Sequence, residues 1–156
     1  MPYTTKEIAD YIIASAHETG SFLSNLKLQK LLFYAQAWHL AIHDERLLDG
    51  HFEAWVHGPV IGDLYREYKK YGWRDIDEKV EKPELDQRSI EFLEDLLDEY
   101  GPLDGRRLEW LTHREDPWKN ARGELSDDEP RTDYINENDI KTYYRSKMSK
   151  DGDRSS

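Results

Sequence analysis

Residues 26–45 read LKLQKLLFYAQAWHLAIHDE, and this stretch decides the fold. Leu28, Leu31, Leu32, Ala35, Trp38 and Ile42 recur at the three-and-four spacing of one helical face. Phe33, Ala37, Leu40 and Ala41 carry apolar surface round to the other side. A helix that is apolar round most of its girth needs neighbours on most sides. The segment therefore predicts a central helix, capped by Ser24 or Asn25. Lys30 and Gln36 are its odd residues. Either they mark a solvent-facing strip, with the lysine stem lying along apolar surface, or they make a partly buried polar contact in a partner-facing groove.

Working outward, Thr4 or Thr5 caps a first helix running to about Thr19, and Gly20 ends it. On the other side lies FEAWVHGPVIGDLYREY, residues 52–68. Phe52 to Val56 alternates loosely, as a short strand does. Gly58 gives a flexible entry, and Pro59 suits the first position of a helix, where no N–H is needed. Ile61, Leu64, Tyr65 and Tyr68 follow at helical spacing, and Gly62 is expected to let this helix approach another backbone closely. Gly58-Pro59 thus reads as a corner between strand and helix, and Trp55 and His57 line a surface beside it.

Residues 74–88 read as a charged connection, and Ile90 to Tyr100 as a fourth helix. Asp104 caps a short helix, and Asp116 with Pro117 is a cap and first-residue pair for another. Residues 124–130 form an acidic loop. Asn136 caps a last helix containing Ile140, Tyr143 and Tyr144. The expectation is a mainly α, single compact helical domain of about five to six helices over residues 1–148. A short two-stranded patch pairs residues 52–56 with 132–135. The tail, 149–156, has nothing to bury and is expected to be disordered.

Composition bounds the function. The chain has 156 residues, and its 12% aromatic content argues against a disordered chain. With no cysteine, disulfides, thiolate catalysis and cysteine-based zinc sites are excluded. No apolar run approaches the roughly 18 residues that cross a bilayer. MPYTTKEIADY has no basic segment leading into an apolar one, so a cytoplasmic protein is expected. With 33 acidic and 22 basic residues the net charge is −11. That balance argues against direct nucleic-acid binding, which needs clustered Lys and Arg. The charge is uneven: residues 74–100 carry −7 and residues 124–139 carry −6. Such faces are either simply solvated or attract a basic partner and speed its association.

Catalytic motifs are sparse. His39 and His43 stand four apart on the central helix, a metal-holding spacing, with His51, His57 and His113 as further ligands to draw on. Leu40 follows His39, where metalloprotease motifs place a glutamate. In THREDPW, residues 112–118, His113 with Glu115 and Asp116 could form an acid–base pair, or simply a helix end and a capped turn. No nucleophile elbow, phosphate loop or dinucleotide fingerprint is present. No cofactor, metal site or catalytic residue is expected. A metal-dependent hydrolase acting through His39, His43 and His113 stays open as an alternative, as does a plain interaction scaffold for an unrelated partner.

LKLQKLLFYAQAWHLA, EAWVHGPVIGDLYREYKKYG, LEWLTHREDPWKNAR and a terminal DIKTYY follow one another over about residues 5–145. In that order they resemble the Panacea domain, the family of SocA-like antitoxins and phage-associated GepA-like proteins. Matching motif positions are Leu28, Lys30, Leu31, Trp38, Trp55, Gly58, Pro59, Val60, His113, Pro117 and Trp118. Most of these read as structural. The resemblance implies a small helical antitoxin that neutralises a toxin encoded by the adjacent gene by binding it. It also implies an adaptor role that presents the toxin to an ATP-dependent Clp protease. Trp55, His57, Tyr65, Lys30 and Gln36 are the candidate partner-binding residues.

Overall fold

The computed structural model describes residues 2–123 and 133–155, with side chains through 148. The expected acidic loop at 124–130, Thr132 and Ser156 lie outside them. Helix α1 (Thr5–Glu18) starts in a capping box: the Thr4 side chain accepts from the Glu7 amide, and Glu7 accepts from the Thr4 amide. Helix α2 (Asn25–His43) is capped by Ser24 and ends at Asp44, in the left-handed region at φ 54°. It is the central element. Leu28, Leu32, Ala35 and Ala37 have no exposed surface. Helices α1, α4 (Gln87–Tyr100), α5 (Gly105–His113) and α7 (Glu137–Ser155) all pack on it.

Two residues of its predicted apolar stripe depart from expectation. Ile42 is 47% exposed, although Leu40 and Ala41 beside it are buried. Trp38 is partly buried; its indole N–H donates to the Tyr100 hydroxyl at 2.8 Å, and its ring meets Tyr144 edge-on.

The solvent-facing strip expected at Lys30 and Gln36 does not exist. Lys30 has no exposed surface, and its Nζ donates to the Pro59 carbonyl at 2.9 Å. Gln36 is equally enclosed. Its side-chain oxygen accepts from the Leu47 and Leu48 amides, and its amide donates to the Leu48 carbonyl. Gln29 accepts from the Ile61 amide in the same way. Residues 44–61 fold back over α2 with only two strands of three residues each, so buried backbone groups there need side-chain partners. Three polar residues of the central helix supply them.

The corner also differs from its reading. Strands β1 (Glu53–Trp55) and β2 (Gly58–Val60) form an antiparallel hairpin, with Trp55 opposite Gly58 and Val56-His57 at the turn. Pro59 therefore lies in a strand rather than at a helix start, which an edge strand tolerates because no ladder N–H is needed there. Helix α3 (Gly62–Tyr68) begins three residues later and runs into a 3-10 turn over Lys69–Tyr71. A Cβ at Gly62 would meet the Glu53 side chain, so that glycine makes room for a carboxylate and not for a backbone. On its other edge β1 is joined by residues 133–135: the Ala54 amide donates to the Asp133 carbonyl, and the Ile135 amide to the Phe52 carbonyl. The pairing expected between these segments is present from residue 133 onward, beside a hairpin that was not foreseen.

Helix α4 begins three residues before Ile90, with Asp86 as cap. The connection before it is anchored by Ile76, which is fully buried and donates its amide to the Leu23 carbonyl. Asp104 caps α5 as read. Helix α6 (Asp116–Arg122) has Glu115 at the cap position, one residue before the expected Asp116. Asn136 accepts from the Asp139 amide at the start of α7, as expected. The α7 backbone continues past 148 to Ser155.

Candidate partner-binding face

The hairpin is held from behind. The Trp118 indole N–H donates to the Trp55 carbonyl at 2.8 Å, and Arg122 donates to the Ala54 carbonyl. His113 stacks on Trp118 at 4.1 Å between ring centres. The side chains of Glu115, Tyr34 and Tyr144 close the layer beneath: both tyrosine hydroxyls donate to Glu115, at 2.7 and 2.8 Å. Burial pushes both tyrosines' pKa up, with the neighbouring Glu115 charge adding to it. THREDPW is thus a packed support for the hairpin, with Glu115 as an acceptor at its centre.

Gly58 stands at φ 102°, and a Cβ there would lie 2.7 Å from the Lys30 stem and 2.8 Å from the Thr112 hydroxyl. Only glycine fits that backbone over that lysine. Burial draws the Lys30 pKa down to about 7, and the Glu109 charge partly restores it. Leu28, Leu31, Val60, Pro117 and Trp118 are buried around this framework.

The rigid hairpin projects His57 at its turn. His57 is exposed, and its Nδ1 donates to Glu109 of α5 at 2.7 Å. Its ring meets Trp73 edge-on at 5.9 Å, and Trp73 is 75% exposed. A groove of about 690 Å³ opens here, lined by Leu26, His57, Trp73, Gly105, Arg106 and Glu109 among others. Trp55 and Tyr65 pack edge-on against each other at 5.0 Å, both partly buried. The expected trio therefore divides. Trp55 and Tyr65 form one aromatic pair, and His57 faces a groove with Trp73, a residue the sequence analysis does not single out. The signal for Trp73 was present: a lone large aromatic follows the helix-ending Gly72 in a polar stretch. Lys30 and Gln36 offer no surface and act from inside.

Around α3 a second hollow of about 530 Å³ is lined by Asp49, Glu53, Asp63 and Glu67, with Lys6 and His51. It gives that side of the molecule an acidic character.

The histidines do not assemble a metal centre. His39 hydrogen-bonds the Glu45 carbonyl at 2.6 Å, and His39 and His43 pack on Phe92. Burial holds both their pKa values below the usual range. Among the described residues no group of three potential ligands occurs, so His39, His43 and His113 do not converge. Among the described residues no helix is long and apolar enough to cross a membrane.

Comparison with known proteins agrees with this construction. A curated relative, Antitoxin SocA of Caulobacter vibrioides (strain NA1000 / CB15N), is 29% identical over 126 residues, spanning 72% of this chain and 67% of the relative. No solved structure matches the chain. The model of the antitoxin SocA-like, Panacea domain family matches residues 28–119, from the central helix through the hairpin to the first turn of α6. With most of its central helix and the whole hairpin inside that match, the chain belongs to the antitoxin SocA-like, Panacea domain family.

Proposed function

We propose that the protein is an antitoxin that binds and silences a toxin encoded by the adjacent gene, and that it does so in the cytoplasm without catalysis. Family membership supports the antitoxin role. The observation that carries direct binding is the hairpin face: a tryptophan three-quarters exposed, edge-on to His57, beside a groove on a rigid support. Large aromatic groups at such positions are the usual anchors of protein interfaces. Trp55 and Tyr65 extend the face, and the net charge of −11 speeds the encounter with a basic partner.

Co-expression tests this reading. The adjacent gene expressed alone should arrest growth, and the antitoxin should restore it. Alanine at His57 together with Trp73 should abolish rescue while leaving the melting temperature unchanged. A harmless neighbour removes the antitoxin reading; rescue by the double variant moves the contact to another face. Delivery to a Clp protease is the finer form of the proposal. In that form the toxin level falls when the antitoxin is present, and rescue is lost in a strain lacking the protease. A constant toxin level with rescue in both strains means sequestration.

A further inference from the structure

Helix α5 carries an outward face unlike the rest of the molecule. Residues 105–114 hold three arginines and one acid, Glu109, in a chain of 22 basic and 33 acidic residues. Glu109 accepts from His57, and just beyond the helix Glu115 is buried and accepts from Tyr34 and Tyr144, while Asp116 is exposed at the start of α6. Arg106, Arg107 and Arg114 are exposed, and none forms an ion pair among the described residues. Arg107 and Arg114 each lie over the Trp110 ring, at 4.3 and 4.4 Å from its centre. Trp110 is 45% exposed. The residues stand at 107, 110 and 114, one stripe of the helix, and Arg106 continues the stripe into the His57–Trp73 groove.

We propose that this stripe docks an acidic segment of the protein partner. The partner's identity rests on the antitoxin reading, but the chemistry does not. Stacking on Trp110 pre-orders the two guanidinium groups, so less side-chain freedom is lost when carboxylates bind them in forked pairs. The indole supplies apolar area between them. A nucleic acid offers the same negative charge but fits less well. An extended polyanion is repelled by the acidic remainder of the molecule, whereas a short acidic segment engages charges within about 8 Å of the stripe and escapes most of that repulsion.

The full chain is titrated with a fluorescein-labelled peptide rich in glutamate and leucine, and separately with a single-stranded oligonucleotide of equal length. The peptide should bind, quench tryptophan emission and weaken as salt rises. Arg107→Ala with Arg114→Ala should weaken it at least about tenfold, with the thermal melt unchanged. Absence of peptide binding, equal binding by the double variant, or tighter binding of the oligonucleotide overturns the proposal. In the growth assay, Arg107→Glu with Arg114→Glu should lose the rescue that the unsubstituted protein gives. Rescue by both overturns the stripe and leaves the antitoxin reading standing. Failure of the unsubstituted protein to rescue removes that reading alone, and the peptide titration then decides the stripe.

Discussion

Lys30 sits with its ammonium against the Pro59 carbonyl and with no exposed surface. Burial brings its pKa down to about 7, against the countering Glu109 charge, whereas an unfolded chain's lysine holds its proton to about 10.4. Between those values the unfolded state binds more protons, so this residue makes stability rise with pH from about 7 to about 10.4. Below that window both states are charged and the burial penalty is fully present. Lys30→Met should flatten that rise, by on the order of a few kcal/mol. Denaturant titrations of both proteins at about pH 6 and about pH 9 check it; parallel stabilities would show that the amine is not desolvated. Gly58→Ala should lower stability by roughly 1–3 kcal/mol, since a side chain at φ 102° is strained and its Cβ meets the Lys30 stem. A thermal melt measures this. Neither role was legible in the sequence. Periodicity shows that a lysine interrupts an apolar helix, but not that the carbonyl of a strand 29 residues later needs a donor there.

The helices were legible at the scale of elements, because their signals are local. Thr4, Ser24, Asp104 and Asn136 cap where their side chains predict, and α2 is central because its apolar residues leave almost no polar face. The hairpin was missed for the converse reason. Val56-His57 is not a common turn pair, and Pro59 favours a helix start just as well as an edge strand. What decides between them is the set of partners on α2 and α6, distant in sequence. Trp38 shows the same limit: its spacing marks the apolar face, but only the fold shows that it stays partly exposed while its indole N–H reaches Tyr100. Trp38→Ala should therefore cost roughly 2–3 kcal/mol, below the 3–5 kcal/mol typical of fully enclosed aromatics, with loss of the Tyr100 hydrogen bond included. An unchanged midpoint would remove α2 from the centre of the core. Glu115→Ala should cost more than Glu115→Gln, because the amide oxygen still accepts from a tyrosine hydroxyl and the methyl leaves two buried donors bare.

Across the whole molecule the charge is divided: a net −11, strongest along the connection and α4, with a basic aromatic stripe on α5. Exposed charges are screened beyond about 8 Å at physiological salt. Association with the partner should slow as salt rises, while dissociation from the aromatic face changes much less; stopped-flow or surface-based kinetics at several salt concentrations separates the two rates. The central claim is that the hairpin face grips the product of the adjacent gene. Its most direct measurement is a calorimetric titration of that purified product into the protein and into its His57→Ala, Trp73→Ala variant. Tight binding to the first, with binding lost in a variant that melts at the same temperature, is the predicted result. Equal binding to both proteins, or none to either, would contradict it.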